Sequence, residues 1–221
     1  MINPTLRVER GLFKDGYATL AAIDEVGRGS LAGPVSVGVV LIDGSTRQTL
    51  NGVRDSKDLT PNARNALVPR IRAWAVACSV GHASPLEIDE FGIIGALRLA
   101  GHRAVQQLPI APSVVLLDGS HDWFTRPKQP SFLDLSSDLL DDVPPVITKV
   151  KADRTCMSVA AASVLAKVQR DALMVQLSGQ HPVYGWADNK GYASPEHIAA
   201  LAAHGPTAQH RRSWKLPGVG S

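Results

Sequence analysis

The residues best placed to do chemistry are Asp24 and Glu25, adjacent carboxylates closing an apolar segment, with Gly27-Arg28-Gly29 directly behind them. Two further acids stand at similar junctions. Asp118 ends the apolar run from Ser113 to Leu117, and Asp153 lies between the run Val146 to Val150 and a helical stretch. Carboxylates on rigid elements suit a hard divalent cation, which keeps several waters and needs few protein ligands. Two such cations roughly 4 Å apart can activate water, stabilise charge on a pentacovalent phosphorus and assist a departing oxygen. Glycine on either side of Arg28 permits unusual dihedral angles and close approach of backbone amides to a phosphate or sugar.

Each feature has a plainer reading in isolation. Asp118-Gly119 alone is a turn, and Asp153 alone is a helix cap. Asp24 and Glu25 alternate across a strand, so Glu25 would reach a shared site only through local backbone distortion or a bridging position. Lys167 and Asp171, one helical turn apart, read as a surface pair worth about 0.3 kcal/mol, and Asp171 is left outside the catalytic set. His204 and His210 could move protons, although a loop histidine is more often a surface residue. Cys78 and Cys156 lack metal-ligand spacing and sit among apolar or small residues, which points to buried structural thiols.

These groups need elements to hold them. Thr19 to Ile23 and Val35 to Ile42 read as strands joined by the 27–33 connection. Pro61 opens a helix, and Ile71 to His82 is either a helix continuing into a strand or a strand alone. Ser84 and Glu87 form a possible capping box ahead of a helix opened by Pro85, and a longer helical pattern runs from Ile94 to Leu108. Ser113 to Leu117 and Val146 to Val150 read as strands. Residues 119–145 carry Trp123, Pro127, Pro130, Pro144, Pro145 and the acids Asp134, Asp138, Asp141 and Asp142, and read as a long surface loop or insertion. From Ser158 to about Leu177, Val164, Val168, Ala172 and Val175 recur at helical spacing, with Ser163, Lys167 and Arg170 presented outward. A short helix starts near Pro195. Strands first, then helices and strands mixed, indicate an α/β sandwich.

At 221 residues the chain suits one domain with a small appendage: a core over 1–178 and a C-terminal element over 179–221. The stretch Met1 to Phe13 contains Arg7, Glu9 and Arg10, so it lacks the apolar centre of a secretory signal, and no run is long enough to span a membrane. A cytoplasmic protein with no membrane partner is expected. The net charge of +3 is modest, but Lys149, Lys151, Arg154, Lys167, Arg170, Lys190, Arg211, Arg212 and Lys215 gather in the C-terminal half. That asymmetry fits a polyanionic partner, and equally a set of solvated surface charges.

Taken in order, Ala22 to Gly29, Leu31-Ala32-Gly33-Pro34, Asp55-Ser56-Lys57, Leu116-Leu117-Asp118-Gly119, Lys151-Ala152-Asp153, Ala161 to Val168 with Arg170-Asp171, Lys190-Gly191-Tyr192 and His210-Arg211-Arg212-Ser213 resemble ribonuclease HII, the bacterial type 2 ribonuclease H. The resemblance spans roughly residues 17 to 215. It implies a ribonuclease H-like fold: a mixed central sheet flanked by helices, with a small helical C-terminal element. It also implies that Asp24, Glu25, Asp118 and Asp153 hold two Mg2+ or Mn2+ ions. Gly27, Arg28 and Gly29 become a loop that senses the sugar 2′-hydroxyl, and Tyr192 packs on a neighbouring sugar. Lys57, Lys190, Arg28, Arg211 and Arg212 become candidate phosphate contacts. Ala152 stands where the family commonly has Gly, which forbids an easy positive φ but leaves the next carboxylate in place; Asn189 stands where His is common.

The implied activity is metal-dependent hydrolysis of the RNA strand of RNA/DNA hybrids and of the 5′ side of ribonucleotides embedded in duplex DNA; a monomer is the default expectation, which the sequence does not determine. A DNA nuclease or recombinase on the same fold is disfavoured by Gly27-Arg28-Gly29 and Tyr192. A non-catalytic hybrid-binding module is disfavoured by the retention of all four carboxylates.

Overall fold

The computed structural model describes residues 3–127 and 138–219. In chain order the elements are α1 (Arg7–Lys14), β1 (Thr19–Val26), β2 (Val35–Asp43), α2 (Pro61–Trp74), β3 (Ala77–Ala83), α3 (Pro85–Gln106), β4 (Val114–Asp118), β5 (Val146–Lys149), α4 (Ala152–Thr155), α5 (Met157–Gln180), α6 (Trp186–Asn189) and α7 (Pro195–His204). The strands form one mixed sheet in the order β3-β2-β1-β4-β5. Contacts of β1 with β2 and of β2 with β3 are antiparallel; those of β1 with β4 and of β4 with β5 are parallel. This is the mixed sheet flanked by helices that the family resemblance implies.

Local chemistry starts three of the helices. Thr60 accepts from the Ala63 amide at 3.3 Å ahead of Pro61, Ser84 and Glu87 complete the reciprocal capping box, and Ser194 accepts from the His197 amide at 3.2 Å. The 71–82 segment resolves as the end of α2 followed by β3. Gly92 carries φ of 68° inside α3 and bends it.

Both sheet faces are buried, which is why β1 and β2 are continuous apolar runs and not alternating ones. Leu20 and Ala22 pack with α1, α2 and α5, whereas Ala21 and Ile23 pack with α3. Gly38 lets α5 settle closely, since a β-carbon there would lie 2.3 Å from the Ala162 carbonyl.

Two expectations need correction, and the N-terminal stretch adds an element that no pattern announced. The 119–145 segment is not a solvated loop throughout: Trp123, Phe124 and Leu139 are buried in the α3-side core, and Asp138 pairs with Arg103 at 2.6 Å. Apolar burial competes with the many prolines and acids there and wins at these positions; Pro130 and Asp134 lie outside the described residues. Ser163 and Arg170 do not face outward from α5 but are buried with hydrogen-bond partners. The N-terminal stretch forms α1, whose Glu9 is fully buried and accepts from the amide and hydroxyl of Ser158 at 3.0 and 2.7 Å.

Cys156 is buried, and burial pushes its thiol up to about 11, with the Glu9 charge adding to the effect. Cys78 is only half-buried. Among the described residues no helix is long and apolar enough to cross a membrane.

Candidate active site

Adjacent parallel strands bring the first two acids together. Ile23 pairs with Leu117, so Asp24 and Asp118 follow side by side at the same ends of β1 and β4. Both continue the face that carries Leu20, Ala22, Val114 and Leu116, the face covered by α5. Asp153 enters from the short α4 beyond β5. Asp118 holds this junction in place: its Oδ1 accepts from the Ala152 amide at 2.6 Å and the Asp153 amide at 3.4 Å. The left-handed residue here is Lys151, at φ 58°, so Ala152 needs no positive φ and fits its buried position.

Glu25 lies on the opposite face, yet pairing of β1 with β2 stays regular through Val26, opposite Ser36. No backbone distortion accompanies it, because the sheet ends there and the longer side chain remains within electrostatic reach of Asp118. Arg28 Nη1 approaches Glu25 Oε1 at 3.4 Å.

The four acids crowd one another. Burial raises Asp24 well above the usual carboxylate range, with Glu25, Asp118 and Asp153 adding repulsion and Ser163 opposing it through a hydrogen bond. Burial also raises Glu25, where the nearby Arg28 acts against it and Asp118 with it. Asp153 is pushed up to about 6 by burial, then by Asp118 and Asp55. Asp55 is a further acid that the sequence reading passed over although its motif stood out; it is buried and accepts from the Lys57 amide at 3.0 Å. Lys57 Nζ sits 3.9 Å from both Asp55 and Asp153. Partial burial lowers Lys57, but the surrounding acids outweigh it and hold the ammonium above its ordinary range.

Clustered buried carboxylates are stable together only with a counter-charge, and a hard cation fits this all-oxygen donor set. Glu25 Oε2 is buried without any hydrogen-bond partner, which leaves it able to take such a ligand. As the side chains stand, no group of three acids, histidines or cysteines among the described residues forms a ready cage.

The loop after β1 is built from behind. Leu31 and Ala32 donate to the Gly191 carbonyl at 2.8 and 3.2 Å, Gly33 donates to Gln209, and Ala32 bridges His210. Arg211, expected at a phosphate, is fully buried and donates to the carbonyls of Arg28, Gly27 and Gly33. Its two terminal nitrogens are taken up by the loop it supports. Lys190, half-buried at φ 53°, donates through Nζ to the Ala187 carbonyl. Arg28, Lys57 and Arg212 remain exposed.

Tyr192 is 37% exposed beside the loop. Its carbonyl accepts from His197 Nδ1 at 2.9 Å, while His197 Nε2 receives both the Trp186 indole at 3.1 Å and His210 Nε2 at 3.1 Å. His210 is therefore no surface residue; burial lowers it to about 4, helped by His197, His181 and Arg212, and it stays neutral as a scaffold. His204 lies exposed at the end of α7, away from this network. Asn189 closes the turn, with Nδ2 donating to the Tyr184 carbonyl and Oδ1 accepting from the Gly191 amide. Asp171 pairs with Lys167 at 2.7 Å and Arg64 at 3.7 Å, partly shielded and not on the open surface.

A mixed five-stranded sheet with acids grouped at the ends of its central parallel strands defines a protein of the ribonuclease H-like fold. The sequence model of Ribonuclease HII matches residues 21–217, and the chain belongs to that family, whose members cleave RNA in RNA/DNA hybrids and remove ribonucleotides from DNA. A Streptomyces avermitilis ribonuclease HII is 45% identical over 212 residues, covering 96% of this chain and 83% of the relative. The solved Pyrococcus horikoshii ribonuclease H2 aligns with a TM-score of 0.67 at 30% identity, over 90% of this chain and 94% of that one. The Archaeoglobus fulgidus ribonuclease HII, solved in complex with PCNA, aligns at 0.66 and 28% identity, over 90% and 96%.

Proposed function

We propose that Asp24, Glu25, Asp118 and Asp153 hold a pair of Mg2+ or Mn2+ ions, and that the chain cuts on the 5′ side of a ribonucleotide in duplex DNA, as well as within RNA/DNA hybrids, leaving 3′-hydroxyl and 5′-phosphate ends. The observation that carries this reading is the shielded acid cluster, in which burial and neighbouring carboxylates raise Asp24, Glu25 and Asp153, with the unpartnered Glu25 Oε2. When bound, the metals supply water activation and charge stabilisation on the phosphate. The protein's own groups do the rest. Asp118 fixes the approach of Asp153 through two backbone amides, and exposed Lys57 and Arg28 attract the phosphate backbone. Arg212, also exposed, is a further candidate for that attraction.

Gly27, Arg28 and Gly29 meet the ribose 2′-hydroxyl through backbone, and Tyr192 packs on the next sugar. Residues 1–178 act as the catalytic core and 179–221 as the substrate-contacting element; the protein works as a cytoplasmic monomer. The test compares duplex DNA with one ribonucleotide, the same duplex in all-DNA form, and a continuous hybrid, each with and without magnesium. Cutting of the all-DNA duplex at a similar rate would favour a DNA nuclease, and binding without cutting would favour a non-catalytic module.

A further inference from the structure

Arg170 and Arg211 are both fully buried against the inner side of the 27–34 loop. Arg170 donates through Nε to the Pro34 carbonyl at 2.9 Å, through Nη1 to Lys190 at 3.0 Å, and through Nη2 to Ser30 Oγ at 2.7 Å and Ala32 at 3.2 Å. Arg211 donates through Nη1 to Arg28 at 2.7 Å and through Nη2 to Gly27 at 2.5 Å, Ser30 Oγ at 3.0 Å and Gly33 at 3.3 Å. Among the described residues no carboxylate forms an ion pair with either guanidinium. Two buried cations are thus solvated by six backbone carbonyls and one shared hydroxyl, an arrangement whose desolvation is costly unless its geometry is kept.

That geometry has a consequence on the outer side. In a planar trans peptide the carbonyl and the following amide point in opposite directions. Pulling the Gly27 and Arg28 carbonyls inward turns the amides of Arg28 and Gly29 outward, and among the described residues neither amide donates a hydrogen bond. A cation at the carbonyl end also polarises each peptide and strengthens its amide as a donor. The same Arg170 holds the Lys190 carbonyl and lies 5.5 Å from the centre of the Tyr192 ring.

We infer that Arg170 and Arg211, joined by Ser30, are positioning residues for ribose recognition: one buried pair sets the outward amides of the loop and couples them to Tyr192. This rests on the ribonucleotide reading proposed above. The expectation is specific, because removing surface charge weakens all duplexes alike, whereas disturbing these amides weakens only the duplex that offers a 2′-hydroxyl.

The experiment measures affinity by fluorescence anisotropy, with Ca2+ in place of the catalytic metal, for duplex DNA with one ribonucleotide and for the identical all-DNA duplex. Arg170→Lys keeps the charge but loses the fork, and should reduce the ratio of the two affinities about tenfold, with the all-DNA value within about twofold of the parent. Ser30→Ala, a small change that removes the joint, should reduce the ratio about threefold. It decides the matter alone should Arg170→Lys not fold. A parent with a clear preference and variants that keep its ratio would overturn the inference alone. A parent with no preference overturns the functional reading and this inference together.

Discussion

A β-carbon added to Gly27 would lie 2.0 Å from Arg170 Nε, so the first glycine of the loop and the buried arginine of α5 are fitted to each other. Gly27 also has φ of 82°, whereas Gly29 has an ordinary φ and nothing within 4 Å of the place its β-carbon would occupy. The two glycines that flank Arg28 therefore serve different purposes. Gly27→Ala should destabilise the protein by more than about 1 kcal/mol in urea unfolding, since both backbone and packing oppose it. Gly29→Ala should leave stability near the parent's yet lower kcat/KM about tenfold, because the methyl group stands where the sugar must approach. Parental kinetics for Gly29→Ala would remove the outer loop surface from the binding site.

Asp118→Asn should lower turnover by at least about a hundredfold, equivalent to ~3 kcal/mol in the barrier, while substrate affinity and melting temperature change little. Asn can still accept from the Ala152 amide, so the α4 junction keeps its hydrogen bond and only charge is lost. Asp171→Asn is the contrast. It loosens the pairs with Lys167 and Arg64 and should cost about 1 kcal/mol of stability or less, with turnover within about twofold of the parent. Inactivation of a folded Asp171→Asn would mean that Asp171 belongs with the catalytic acids.

Acid should loosen the scaffold beneath Tyr192. His210 is lowered to about 4 in the folded protein, so between pH 6.5 and 4 the unfolded chain takes up a proton that the folded one refuses. Stability then falls as pH falls through that window, by at most about 3 kcal/mol from this residue. His102, also lowered to about 4 by burial, adds to the same slope. Urea unfolding from pH 7 to 4 should show a shallower dependence in His210→Asn than in the parent. Parallel curves would show that His210 is protonated in the folded state at its ordinary pKa.

What could be read without coordinates follows from range. Thr60, Ser84 and Ser194 cap their helices through contacts three residues away, so each start was legible. The acids were legible as types at strand ends, but the adjacency of Asp24 and Asp118 depends on β1 and β4 pairing across 90-odd intervening residues, a fact of topology supplied by the family resemblance and not by spacing. Arg170 and Arg211 looked like surface cations because composition cannot distinguish an arginine that meets water from one that meets inward carbonyls. Glu9 hid α1 for the same reason: its partner Ser158 lies 149 residues away. Trp123 and Phe124 stand among prolines and acids, and only tertiary burial separates them from a solvated loop.

Tyr192 is held on three sides, and each contact assigns its ring a task. Its amide donates to the Asn189 carbonyl at 3.0 Å, its carbonyl accepts from His197 Nδ1, and its ring lies over Arg170. The backbone contacts survive any substitution, so Tyr192→Ala should keep the turn and remove only the exposed ring. On the proposed reading, a single embedded ribonucleotide offers one ribose to recognise and the ring would contact the sugar beyond it, whereas a continuous hybrid offers other ribose contacts in compensation. Cleavage at the single ribonucleotide should therefore fall about tenfold or more, in line with a stacking contact of about 1–3 kcal/mol, and hybrid cleavage should fall less. Tyr192→Phe should behave like the parent on both substrates if the ring and not the hydroxyl carries the effect. Steady-state kinetics on the two substrates, with circular dichroism to verify folding, decides between the roles. Equal losses for Tyr192→Ala would make the ring a general support and leave recognition to the Arg28 and Gly29 amides.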